Sequence, residues 1–325
     1  MGSVGGVAQH ITRHLEFYFL LSLLMGVVAG YGHDLEWLKS LVPLALFLML
    51  YPMMVNLDIE RIRGVVKNSR TVGLALVLNF VVSPLLMAAL VYAFGIPGEL
   101  AAGLLLIGMT PCAGMVIAFT GLSRGNVEAA VVLVAASLLI AVGMVPLWSK
   151  VLIGMFLPVP TRLIAQTILL VIVLPLVGGD LTRRLIIRRR GYEGYVAMKE
   201  SFSAFASFGL LLIFFIIFSI NSRAILSEPW IVARLAAPSA LFYLLLLAVA
   251  LSMGRLAGMS WADRVALAFS TAAKNQSIAI ALALMAFGHT AALAVAVGGP
   301  LIQAPIMLSY VRYNKSHPPS VPSGA

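Results

Sequence analysis

Apolar residues run along this chain in long blocks, and polar residues gather in short stretches between them. A helix needs about 20 apolar residues to cross the hydrocarbon core of a bilayer. Ten blocks approach or exceed that length, near residues 17–31, 37–56, 72–94, 99–122, 127–155, 163–179, 202–220, 230–253, 262–287 and 290–313. Lipid offers no partner for a free N–H or C=O, so each block is predicted to be helical. The pattern therefore predicts an all-α polytopic membrane protein with ten transmembrane helices.

Composition agrees with that reading. The chain is 61% hydrophobic and only 10% charged, with a mean hydropathy of +1.03. A typical soluble domain carries about 25% charged residues. The net charge of +10 would suggest nucleic acid in a soluble protein, but no basic run is interleaved with aromatic residues. No nucleic-acid partner is expected, and the lipid bilayer is. Basic residues favour the cytoplasmic side of a membrane. Most of the 22 Lys and Arg fall inside when both termini are placed in the cytoplasm. The expected location is the cell (inner or plasma) membrane, multi-pass, with both termini cytoplasmic.

Residues 1–16 lack the features of a cleaved leader and read as a cytoplasmic tail, and residues 314–325, rich in Pro and Ser, read as a disordered one. The stretch Asp58 to Arg70 has Ile59, Ile62 and Val66 at helical spacing and reads as a short surface helix. The run from Arg183 to Arg190 reads as a cytoplasmic loop, and Asp180 as a helix-end residue before it.

Ten spans divide into two sets of five, over 17–155 and 163–313. An odd number per set inverts the second copy, a plan common among transporters. Spans four and nine are both interrupted, by Gly108-Met109-Thr110-Pro111-Cys112-Ala113-Gly114 and by Ser270-Thr271-Ala272-Ala273-Lys274-Asn275-Gln276-Ser277. Cys112 lies as far before Asn275 as Val127 lies before Thr290. Pro111 removes a backbone donor, and the glycines weaken the helix on both sides. Freed backbone groups at membrane depth persist only where they line a cavity or meet protein. Two corresponding breaks predict a binding site between them, for a small-molecule substrate, built from Thr110, Pro111, Cys112, Asn275, Gln276 and Ser277. Asn79 and Ser83 in span three and Ser137 in span five are weaker candidates.

No Asp or Glu lies in the middle of a span, but Lys274 does. A lysine at the bilayer centre costs roughly 2.5–3.5 kcal/mol on insertion scales, which makes function its default reading. Lys274, with Thr271 nearby, is the candidate coupling group, through proton exchange or as a fixed cation. Cys112 is the only cysteine, so no internal disulfide exists. A thiol in a broken helix suits a soft species such as trivalent arsenic or antimony. The chain has no Cys/His cluster for a metal, calls for no cofactor, and lacks the paired acids or Ser–His and Cys–His sets that an intramembrane enzyme would need.

Three segments carry a family resemblance. They are Ala45-Leu46-Phe47-Leu48-Met49-Leu50-Tyr51-Pro52-Met53-Met54, Thr110-Pro111-Cys112 with Leu122-Ser123-Arg124-Gly125-Asn126, and Gly299-Pro300-Leu301-Ile302-Gln303-Ala304-Pro305-Ile306-Met307-Leu308. On them the chain resembles the arsenite-efflux permeases of the arsenical-resistance type, within the bile acid:sodium symporter superfamily. The resemblance covers about residues 17–313. It implies ten helices in two inverted repeats with broken helices four and nine crossing, a core domain around that crossing and a panel domain beside it. It further implies that Cys112 matches the family's essential cysteine, and that arsenite leaves the cell against the membrane potential or in exchange for protons. Span nine departs from the pattern, because Lys274-Asn275-Gln276-Ser277-Ile278 has no acid and neither does the position of Thr271. That departure argues against sodium coupling. The alternative within the same fold is a sodium-independent organic-anion carrier, with Lys274 balancing the charge of its substrate.

Overall fold

The computed structural model describes residues 15–33, 35–57 and 69–316. The expected surface helix after Asp58 falls outside them, as do the first fourteen residues and those beyond Ser316. Among the described residues the chain is mostly helical, with no strand. The helices are α1 (Leu15–Gly32), α2 (Val42–Val55), α3 (Ser69–Val77), α4 (Ser83–Ala93), α5 (Gly98–Met109), α6 (Met115–Leu122), α7 (Val127–Leu152), α8 (Thr161–Ile168), α9 (Leu174–Ile220), α10 (Ser222–Ser227), α11 (Trp230–Leu256), α12 (Trp261–Ala272), α13 (Gln276–Ala286), α14 (His289–Gly298) and α15 (Pro300–Ser316). Single π-turns, Leu78–Val82 and Leu169–Val173, join α3 to α4 and α8 to α9.

Six helical stretches are long and apolar enough to cross a membrane, while Phe17–Gly32, Gly98–Met109 and Gln276–Ala286 are shorter. Large apolar side chains such as Leu24, Val28, Phe47, Leu174 and Leu244 are more than half exposed. A soluble protein keeps such patches small, whereas a lipid-facing belt does not.

α9 packs along α1 and α2, and α14 packs along α5. Gly103 permits the second contact, because a Cβ there would overlap the Ala291 carbonyl of α14. Small residues that let backbones approach are the usual means of helix association in lipid. The turn between α6 and α7 ties the two parts of the chain together. The N–H of Asn126 donates to the Ala262 carbonyl at 2.9 Å. Its amide donates to Asp263 at 2.7 Å, while its oxygen caps α7 by accepting from Ala129 at 2.9 Å.

Four expectations need correction. Arg183 to Arg190 is not a loop but the end of the first of the two helical segments that make up α9. Gly191, at φ +72° and ψ 174°, breaks the helix there in a conformation that favours glycine, and the second segment runs to Ile220. Asp180 lies within the first segment and pairs with Arg184 at 2.7 Å, not at a helix end. Arg183 beside it is buried, with its guanidinium 5.8 Å from the Tyr195 ring centre. The helix also continues through Asn314 to Ser316, where a disordered tail was expected. Finally, span ten is interrupted at Gly299, which has φ −88° and ψ −102°. Pro300 has no N–H to continue α14, and the Gln303 N–H restarts a helix on the Gly299 carbonyl at 2.7 Å.

Candidate functional site

The two sequence breaks meet. α5 ends at Met109, and Thr110 turns extended with φ −70° and ψ 151°. α12 ends at Ala272, and Ala273 and Asn275 leave helical geometry, with ψ near 85° and 91°. The freed backbones pair antiparallel at the crossing. The Ala113 N–H donates to the Ala273 carbonyl at 2.9 Å, and the Asn275 N–H donates to the Pro111 carbonyl at 2.8 Å. Each break thus satisfies part of the other, as burial in an apolar medium requires.

These two bonds bracket Cys112 and Lys274, which face each other as a non-hydrogen-bonded pair. In such a pair the Cα atoms lie about 4.5 Å apart, and the two side chains stand on the same face. Their own N–H and C=O groups point away from each other, to the outer edges. The outer edge of Lys274 is closed by Gln303 on α15. The Gln303 oxygen accepts from the Lys274 N–H at 2.8 Å, and its amide nitrogen donates to the Lys274 carbonyl at 3.1 Å. Gln276 donates both to that oxygen at 2.8 Å and to the Tyr243 hydroxyl at 2.9 Å. The outer edge of Cys112 is different: no side chain of the described residues closes it as Gln303 closes that of Lys274.

Gln303 is therefore a tether on the second break. Gln303→Leu is expected to leave the Lys274 carbonyl and one Gln276 donor unpaired, at about 1–3 kcal/mol for each buried group. The thermal midpoint of the solubilised protein is expected to fall by several degrees. An unchanged midpoint would show that the tether contributes nothing.

The side chains of the pair are fully enclosed, Cys112 at 1% and Lys274 at 0% exposure. The Cys112 sulfur lies 3.1 Å from the Ser137 hydroxyl of α7. Ser137 donates its own proton to the Val134 carbonyl at 3.1 Å, which leaves its oxygen to accept from the thiol. The Lys274 ammonium donates to the Asn79 side-chain oxygen at 2.8 Å and its main-chain carbonyl at 3.4 Å. Asn79 sits in the first π-turn, a local widening often found at functional sites. Its amide nitrogen bonds the Ala75 and Ser270 carbonyls, both at 2.9 Å, so its oxygen is aimed at the lysine. Among the described residues, no carboxylate pairs with Lys274.

The other sequence-predicted residues divide by role. Pro111 supplies the carbonyl that holds Asn275. Thr110 is buried and gives its hydroxyl to the Ile107 carbonyl at 3.0 Å, closing the end of α5. Asn275 caps α13 through Ile278 N–H at 3.2 Å, and its amide lies 4.0 Å from the Met53 sulfur of α2. Gln276 belongs to the tether network. Ser277 is half-buried on the first turn of α13. Thr271 is buried with its hydroxyl unpaired among the described residues. Asn79 and Ser137 rank higher in the structure than in the sequence. Gln303 and Tyr243 were not anticipated as site residues. The signal for Gln303 was a lone amide inside an apolar span.

Residues 43–228 match the Sodium Bile acid symporter family. The chain belongs to this family. It is 31% identical to the arsenical-resistance protein Acr3 of Corynebacterium glutamicum, an alignment covering 93% of this chain and 88% of that one. It is 30% identical to the Acr3 of Alkaliphilus metalliredigens, over 85% of this chain and 82% of the relative. It is also 28% identical to an uncharacterised transporter of Synechocystis, over 96% and 90%. A multi-pass membrane transporter of the sodium bile acid symporter family is thus the setting for the paired thiol and amine.

Proposed function

We propose that this chain is a secondary active transporter that exports arsenite, or a related trivalent metalloid, across the cytoplasmic membrane. The observation that carries the reading is the crossing itself, where the chain's only thiol sits on a broken helix opposite a buried lysine. The names of the Acr3 relatives support the choice of cargo. In this reading the repeats span 17–155 and 163–313, and both termini are cytoplasmic. Cys112 ligates the metalloid, with Thr110, Pro111, Asn275, Gln276 and Ser277 shaping the site. Lys274 is the coupling group, with Thr271 beside it and protons as the coupling ion. Trivalent arsenic is soft enough to prefer sulfur over the oxygens around it.

The absence of a carboxylate partner for Lys274 among the described residues favours a second reading, in which its charge balances an organic anion and no sodium is needed. Arsenite accumulation separates the two. Metalloid-sensitive cells producing the protein are expected to hold several-fold less arsenite than cells with an empty vector. Equal accumulation, with the protein present in the membrane, would reject metalloid export and leave the organic-anion carrier.

A further inference from the structure

α11 packs against α15, and a groove of about 410 Å³ runs along the pair. Sites for small molecules commonly enclose about 300–1,000 Å³. The walls are apolar, Leu244 and Leu247 from α11 and Pro305 and Ile306 from α15, and Tyr310 and Tyr313 stand at one end. The two helices run in the same direction. Tyr243 and Gln303 meet through Gln276 at the level of the crossing, and Arg255 and Tyr310 come together nearer the C-terminal ends. Arg255, in the last turn of α11, lies eleven residues beyond Leu244. That is about 16 Å along a helix, close to half of a hydrocarbon core about 30 Å thick. The groove therefore descends through one leaflet and ends among tyrosines, which favour the membrane–water interface.

The charge at that end is uncompensated. The stem of Arg264, from α12, lies on Gly254 of α11, where a Cβ would sit 3.0 Å from its Cγ. Arg255 and Arg264 are both within electrostatic reach of the Tyr310 hydroxyl, and neither pairs with a carboxylate among the described residues. Asp263, beside Arg264, is held by Asn126 and Ser260. Arg312 and Lys315 add two exposed cations on the last turns of α15. Asn314, which meets the Tyr310 hydroxyl, keeps a buried amide nitrogen with no partner among the described residues.

We propose that this groove holds one anionic phospholipid, with an acyl chain between α11 and α15 and the headgroup phosphate on Arg255 and Arg264. The leaflet is the one on the side of the C-terminus, the inner leaflet in the orientation proposed above. Guanidinium groups bind phosphate oxygens through paired N–H donors. A zwitterionic lipid carries its own cation into this basic surface and gains less. The bound lipid touches the helix whose Gln303 grips the Lys274 backbone, so its occupancy is read in the stability of the fold.

The test is the thermal midpoint of the purified full-length protein in a neutral detergent, with phosphatidylglycerol, phosphatidylcholine of the same acyl chains, or glycerol 3-phosphate added. Phosphatidylglycerol is expected to raise the midpoint by several degrees and to saturate, and the other two to raise it far less. In the double variant Arg255→Gln/Arg264→Gln the phosphatidylglycerol shift is expected to fall to the phosphatidylcholine value. Arg188→Gln/Arg189→Gln, on the other basic run, is expected to keep the full shift. Ser309→Trp, which fills the groove and leaves both arginines in place, is expected to lose it. Equal shifts with the two lipids would show that no anionic headgroup is read, and a full shift with glycerol 3-phosphate would mean a phosphate site without a chain; either overturns the proposal. So does a full shift in the Arg255/Arg264 variant, which would put the lipid elsewhere. If that double variant is not recovered folded, Arg255→Gln alone, at an exposed position, decides by the same comparison.

Discussion

Cells producing Cys112→Ser are expected to be as sensitive to arsenite as cells lacking the transporter, while the protein remains in the membrane at its usual level. The substitution exchanges a sulfur for an oxygen of similar shape. Serine can keep the contact with Ser137, and the two backbone bonds of the crossing do not involve the side chain. The fold should therefore tolerate the change. Chemistry should not, because a hydroxyl is a hard ligand and a poor substitute for sulfur toward trivalent arsenic. The two effects are read separately, tolerance by growth in arsenite and protein level by immunoblot of membranes. Tolerance retained at normal protein level would show that sulfur is not a ligand. The metalloid would then have to be held by the neutral donors of the crossing alone.

How much of this could be read along the chain depends on which physical signal each feature leaves. Apolar blocks of span length leave a strong one, because lipid excludes any other backbone solution. The break at Pro111 was legible for the same reason: a proline between glycines cannot sit unnoticed in an apolar helix. Lys274 stood out by its insertion cost. The break at Gly299 was less visible, since Gly-Gly-Pro is a weaker signal when Pro305 follows in an unbroken helix. The continuation of α9 through Arg188 to Arg190 was masked by charge, which marks the end of the apolar block but not the end of the helix.

The partners of Lys274 could not be read locally at all. Asn79 meets it across 195 positions of sequence and Gln303 across 29, and each looks in sequence like a small polar residue gluing helices together. The same holds for the unequal finish of the two breaks. Their sequences are comparable interruptions of an apolar run, yet one backbone edge is closed by an amide side chain and the other by no side chain of the described residues. On the metalloid reading proposed above, that asymmetry has a functional sense: the lysine is tethered at its backbone and keeps its place, while the strand that carries the thiol has no such tether.

The lysine's dependence on its neighbour can be tested by stability alone. Asn79→Leu is expected to be far more damaging than Lys274→Met. Among the described residues, Asn79 supplies the only side-chain oxygen that accepts from the Lys274 ammonium, and its amide also satisfies the Ala75 and Ser270 carbonyls. Removing it strands a buried charge, at about 3–5 kcal/mol. Lys274→Met removes the charge and leaves one amide oxygen unpaired, at about 1–3 kcal/mol. Methionine fills much of the lysine's volume, so no large cavity opens. The double variant should then be more stable than Asn79→Leu, because the stranded charge is gone. Residues in contact couple in this way, and a double-mutant cycle isolates the interaction. Thermal midpoints of the four solubilised proteins give the cycle. Additive losses would mean that Asn79 and Lys274 contribute independently, and that the ammonium is held by some other group.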